Sequence, residues 1–136
     1  PTSETDAAGA TTSCAYDALG NLASQTDARG FTTSYAYDAF GAVTERTDAL
    51  GQKARCEYDD AGNPVAVTDE AGNRREASWD AAGNLVRATD ARGQATAYEY
   101  DAMGRPTARI RPDGARETWE YDLAGNLVCS TDAAGV

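Results

Sequence analysis

Tyr16-Asp17-Ala18-Leu19-Gly20-Asn21-Leu22, then Thr26-Asp27-Ala28-Arg29-Gly30, then Tyr35-Ala36-Tyr37-Asp38 is the stretch that decides the fold. The aromatic–aspartate pair returns every 21 residues, with aromatics at Tyr16, Tyr37, Tyr58, Trp79, Tyr100 and Tyr121. Its aspartates are Asp17, Asp38, Asp59, Asp80, Asp101 and Asp122, and the glycines that follow are Gly20, Gly41, Gly62, Gly83, Gly104 and Gly125. A half-copy, Thr5-Asp6-Ala7-Ala8-Gly9, precedes the first full block. A fixed period of this size, free of gaps and insertions, marks an array of one supersecondary unit rather than an enzyme built around a unique site.

Each block holds two turn signals. Asp17-Ala18-Leu19-Gly20 is the first and Asp27-Ala28-Arg29-Gly30 the second. Asp at the first position and Gly at the fourth suit a type I turn, with glycine free to take positive φ. In the fifth block Arg111-Pro112-Asp113-Gly114 replaces the second turn, with Pro where a type I turn favours it. The segments between turns hold six or seven residues, a strand length and too short for helices. The expected fold is therefore all-β, an antiparallel meander of about twelve short strands.

The longer segments alternate with a two-residue period. Phe31, Thr33, Tyr35 and Tyr37 fall on one face, with Thr32, Ser34 and Ala36 between them. The opposite face carries Lys53, Arg55, Glu57, Arg74, Glu76, Arg116 and Glu120. An odd period reverses the faces unless each block holds one extra residue. A type I turn followed by a left-handed glycine supplies one. The asparagines Asn21, Asn63, Asn84 and Asn126 place it at the first turn, which sets Tyr16 opposite Leu22, Trp79 opposite Leu85 and Tyr121 opposite Leu127. Placed at the second turn instead, it would set Tyr16 opposite Asn21. Pro64 and Pro106 remove ladder donors and fit only near a turn or a bulge.

Leu, Ile, Val and Phe make up about 11% of the 136 residues, too few for a thick core. The net charge of −10 argues against a nucleic-acid backbone partner, which needs a basic footprint. No apolar run is long enough for a membrane helix, and no signal-peptide pattern opens the chain. Cys14, Cys56 and Cys129 are odd in number, and Cys14 and Cys56 occupy the position of Tyr35, Tyr98 or Trp119, where a thiol acts as a small hydrophobe. Histidine is absent, which removes the commonest metal ligand and acid–base group.

Three chemical readings compete with a plain structural one. Aspartates in turns are similar to calcium-binding arrays, but those bring several carboxylates to each loop, whereas here one Asp per turn caps backbone amides. A repeated acidic ladder offers many equivalent carboxylate pairs and no unique one for glycoside hydrolysis. The aromatic ladder could stack on sugars, yet one or two rings per block are accounted for by packing on the sheet face. No catalytic residue, cofactor or metal is expected.

Six consecutive copies of one block, shown plainly by Tyr16-Asp17-Ala18-Leu19-Gly20-Asn21-Leu22 and Tyr35-Ala36-Tyr37-Asp38, resemble the YD repeat of the Rhs family, related to toxin-complex proteins and teneurins. Trp79 for Tyr, Ala42 and Arg105 for Asn, and Arg111-Pro112-Asp113-Gly114 at the second turn depart from it while keeping the turn or the aromatic face. The resemblance covers nearly the whole chain. It implies a spiralling β-sheet shell around a C-terminal toxin or other cargo, in a bacterial effector that is secreted or delivered. Residues 1–136 would then be one array of six copies plus a half-copy, a fragment of a larger shell, and not an enzyme. The shell's plug and self-cleaving protease region have no counterpart in the residues after Tyr121. The implied partners are the rest of the shell and its enclosed toxin, and the implied mechanism is steric, with continuous backbone pairing leaving no gap for proteases. The alternative is a carbohydrate- or partner-binding repeat module at a cell surface. Open strand edges also predict edge-to-edge self-association.

Overall fold

A computed structural model describes residues 2–5 and 11–134. The fold is all-β, with thirteen strands of four to six residues: β1 Thr2–Thr5, β2 Thr11–Tyr16, β3 Leu22–Thr26, β4 Thr32–Tyr37, β5 Val43–Thr47, β6 Lys53–Tyr58, β7 Pro64–Thr68, β8 Arg74–Trp79, β9 Leu85–Thr89, β10 Ala95–Tyr100, β11 Pro106–Ile110, β12 Arg116–Tyr121 and β13 Leu127–Thr131. They fall into two units, Pro1–Asn73 and Arg74–Val136. Each is an antiparallel meander in sequence order, β1 to β7 in the first and β8 to β13 in the second.

The turns form where the aspartates and glycines place them. Gly20 donates to the Asp17 carbonyl at 3.2 Å, and Asp17 N donates to the Asn21 carbonyl at 2.9 Å. The same two bonds recur at the second turn, from Gly30 to Asp27 O and from Asp27 to Phe31 O. Every described turn glycine has positive φ, including Gly30, Gly51, Gly72, Gly93 and Gly114 of the second turns. The Asp6 turn and the glycine of the last turn lie outside the described residues. Phe31, expected on a strand face, belongs to its turn and is 53% exposed.

The left-handed glycine is thus common to both turns and cannot by itself correct the odd period. The extra residue sits inside the strand. Tyr16 pairs with Leu22 and Ala15 with Ser24, so Ala23 has no partner of its own. The same shift leaves out Thr44, Val65, Val86, Thr107 and Val128. The expected pairs of Tyr16, Trp79 and Tyr121 with Leu22, Leu85 and Leu127 form, but a strand bulge produces the parity. Pro64 and Pro106 stand opposite Tyr58 and Tyr100, one residue before the bulge, where a missing donor is tolerated.

Pairing is not continuous. Between β3 and β4 the register holds at Ser24, Gln25 and Thr26 only, and it ends three residues short of Tyr37. The β5–β6, β9–β10 and β11–β12 ladders are equally short. The expectation of an unbroken ladder is therefore corrected. The bulge carries the strand out of register on the side of the first turns, and the ladder stops there.

The core is thin. Among the described residues only Ala66 and Ala108 are buried hydrophobics, at 3% and 0% exposure, and no large side chain is fully buried. Both alanines lie on the charged face, opposite Glu57 and Glu99. Stability must therefore come from turns, ladders and side-chain bridges. Gly83, at φ +82, has open space where a Cβ would stand. Gly83→Val is expected to cost about 1–2 kcal/mol from backbone strain alone, read in a thermal melt.

Candidate functional site

Along the row of first turns, each aspartate holds its turn closed. Asp17 Oδ1 accepts from Leu19 N at 2.9 Å and Asn21 N at 2.8 Å, and Asp17 Oδ2 accepts from Asn21 Nδ2 at 2.9 Å. The latch recurs at Asp59–Asn63 and Asp80–Asn84, and Asp122 accepts from Asn126 N and Nδ2 in the same way. Asp38 keeps the two backbone bonds, to Phe40 and Ala42. At Asp101 the asparagine is replaced by Arg105, whose Nε reaches Asp101 Oδ2 at 2.7 Å. Second-turn aspartates such as Asp27 and Asp90 accept the same pair of amides. In the Arg111 turn the carboxylate comes from Asp113, which accepts from Ala115 N.

These bonds act on the charged carboxylate. The Asn side-chain amides, helped by the turn amides, hold Asp17, Asp59, Asp80 and Asp122 below the usual aspartate value. At Asp101 the Arg105 backbone amide is the main cause. Lys53 and then Arg55 hold Glu45 down to about 2. A depressed carboxylate stabilises the fold fully above its unfolded value, and that stabilisation is lost as pH falls through the folded value. The melting temperature is therefore expected to be flat from pH 7 to about 5 and to fall steadily below about pH 4. An Asp80→Asn variant, which cannot titrate there, should show a shallower acid limb in the same melts.

The recurring aromatics do more than cover a face. Tyr37 Oη donates to the Leu22 carbonyl at 2.9 Å, Tyr58 Oη to Val43 O at 3.2 Å, and Tyr100 Oη to Leu85 O at 2.9 Å. Each bond reaches back to the preceding repeat. The Cys56 thiol, followed by burial, pushes the Tyr58 phenol above its usual value. Tyr16 lies half-exposed at the start of its series. At Tyr121 the partner is a cation: the Arg105 guanidinium lies 4.7 Å from the ring centroid, and its NH1 donates to the Asp122 carbonyl at 3.3 Å. Asn21 Oδ1 and Asn84 Oδ1 also approach the next repeat, 3.9 and 3.6 Å from where a Cβ on Gly41 or Gly104 would stand.

Sequence reasoning missed two of these bonding groups. The acceptors are backbone carbonyls and have no residue signature. Arg105 reads as a conservative departure from asparagine, and only its reach identifies it as a bridge.

The charged face carries ion pairs of Glu45 with Lys53 and Arg55, and a two-bonded Glu99–Arg116 pair. Lys53, Arg55, Arg116 and Glu99 are about half-exposed and Glu45 less so, and pairs with such exposed partners contribute little individually. Arg109 and Arg111 both bond Glu117. In the first unit an open cleft of about 720 Å³ lies over β4, β5 and β6 and their first turns, lined by Ala36, Phe40, Thr44, Glu45, Arg55 and Tyr58 among others. Of its five carboxylates, Asp38 and Asp59 are engaged by turn amides and Glu45 by Lys53 and Arg55. Among the described residues no group of three His, Cys, Asp or Glu is gathered to hold a metal, and all three cysteines are free. No helix there is long and apolar enough to cross a membrane.

The RHS repeat family matches three overlapping or successive stretches, residues 16–53, 37–74 and 79–116, more than half of the chain. The chain belongs to the RHS repeat family. Solved structures with this fold include the TcdB2–TccC3–Cdc42 crystal structure, at 22% identity and TM-score 0.66, covering 90% of this chain and 8% of that one. TcdB2–TccC3 without its hypervariable C-terminal region matches at 22% and 0.66, with the same coverage. The Photorhabdus luminescens Tc holotoxin pore matches at 23% and 0.64, covering 90% of this RHS chain and 7% of that chain. At these identities the likeness shows the fold, and the chain spans less than a tenth of each of these structures. No curated protein matches significantly.

Proposed function

We propose that residues 1–136 are one stretch of a β-sheet wall that encloses a polypeptide cargo, in a larger protein delivered from a bacterium. The observation that carries this reading is the repeat itself: the motif aspartates from Asp17 to Asp122 each hold a turn, and Tyr37, Tyr58, Tyr100 and Tyr121 each engage a neighbouring repeat. The fold shared with pieces of the TcdB2–TccC3 structures supports it. The wall's partners are further repeats of the same array and the cargo it surrounds. Its work is steric and asks for no catalytic group.

Limited proteolysis of the full-length protein tests this directly. The enclosed segment should resist protease while the wall is intact and become cleavable when the repeats are unfolded by acid. Equal cleavage in both states would overturn the proposal. A glycan array with the purified chain checks the rival: saturable binding lost on replacing Tyr35 and Tyr98 would make it a carbohydrate-binding module instead.

A further inference from the structure

We infer that the hydroxyl of the recurring tyrosine closes a gap that opens in the sheet once per repeat, and that Arg105 closes the corresponding gap where β11 meets β12. The inference rests on the wall reading for its purpose, but its geometry stands alone. The β3–β4 ladder ends at Ser24 and Ser34, and β4 continues through Tyr35, Ala36 and Tyr37 without register to β3. About three residues of strand, or ~10 Å, therefore lie beside a bulged neighbour with no ladder between them.

Across that opening the recurrent bond is Tyr37 Oη to Leu22 O, and the same bond spans β5–β6 and β9–β10. The cleft of about 720 Å³ borders the β5–β6 opening, lined there by Thr44, Glu45 and Tyr58 and reaching Ala36 of β4 and Phe40 of the preceding turn. The opening itself is spanned by the longest of the three tyrosine bonds, at 3.2 Å.

Arg105 supports the same requirement by different chemistry. The β11–β12 ladder ends at Ala108 and Thr118. There the Arg105 guanidinium extends from the side of the β10–β11 turn, lies over Tyr121 and donates to the Asp122 carbonyl. A phenol in three openings and a guanidinium in a fourth make the same kind of link, from a side chain to the backbone of the adjacent repeat. A side chain that only covered the sheet face would need no polar tip aimed at a backbone carbonyl.

Amide hydrogen exchange on the intact chain tests the assignment. In a combined Tyr37→Phe, Tyr58→Phe and Tyr100→Phe variant, which keeps every ring, the strand segments beside the openings should exchange at least tenfold faster. Those segments are residues 35–38, 56–59 and 98–101. The short ladders at residues 24–26 with 32–34 and 87–89 with 95–97 should change less than twofold. Arg105→Gln should raise exchange at residues 119–122 alone. Tyr37→Phe by itself serves if the combined variant does not fold, with the rise confined to residues 35–38. Unchanged exchange at the openings would overturn the inference, and so would an equal rise everywhere, which would mark the hydroxyls as general stabilisers. Because the readout is local and made on the chain itself, it is independent of whether a cargo is enclosed.

Discussion

Deleting Val86 is expected to leave the protein folded, whereas deleting Thr96 is expected to unfold β10 to β13. Val86 is the residue without a partner between Trp79↔Leu85 and Ser78↔Arg87. Its removal joins two pairs that already face each other correctly, so every side chain keeps its face. The loss is the local twist of the bulge, and the melting temperature should fall by less than ~8 °C, the shift that about 1 kcal/mol produces in a small domain. Thr96 pairs with Ala88 in a regular ladder. Its removal sends Tyr98 and Tyr100 to the charged face and Glu99 to the aromatic one. It also breaks the Tyr100 bond to Leu85 O. The cooperative transition of that unit should disappear or drop by more than ~15 °C, several times the shift of a single 1 kcal/mol contact. Circular dichroism melts of the two single-residue deletions decide the matter. Equal effects would place the extra residue elsewhere.

The second large effect is association of the isolated chain. With two alanines the only buried hydrophobics among the described residues, each repeat depends on its neighbours. The stability of such arrays is close to a sum of weak repeat terms and interfaces. β13 lies at the edge of its unit, and its Leu127 and Val128 are 54% and 61% exposed. The turn tips Leu19, Phe40, Met103 and Leu123 are 75% exposed or more. An unpaired strand edge is a template for further pairing. Sedimentation velocity should show oligomers that grow with concentration, and a Val128→Lys variant should shift the distribution toward monomer. A monomer at all concentrations that melts cooperatively above ~65 °C, beyond the usual mesophile range, would show that the repeats are self-sufficient.

Much of this fold was legible in the residues because turn chemistry is local. Asp at one position and Gly three later favour a type I turn ending in a left-handed glycine, and the turns from Asp17 to Asp122 close this way, with Arg111 in the place of the Asp at one of them. The pairing of Tyr16 with Leu22 followed from assigning the extra residue to the first turn rather than the second. That one extra residue per block enters in the first-turn hairpin was legible from the odd period, but its place inside the strand was not. Ala23, Thr44, Val65, Val86, Thr107 and Val128 are ordinary strand residues, and no side chain marks the position where a ladder slips. The gaps followed from the bulge and were hidden with it. The tyrosine's polar partner was hidden for another reason: a backbone carbonyl 15 residues earlier looks the same in every sequence. The aspartates were read as turn formers, and their bonds to the second and fourth amides beyond give that role its geometry.

The central claim is that this array is a wall and that its repeats serve one another rather than a site. Electron cryo-microscopy of the full-length protein addresses it most directly. The account predicts that residues 16–121 lie within a closed layer, with one sheet face toward an internal space that holds polypeptide density and the other toward solvent. An array with both faces open to solvent and no enclosed chain would contradict it.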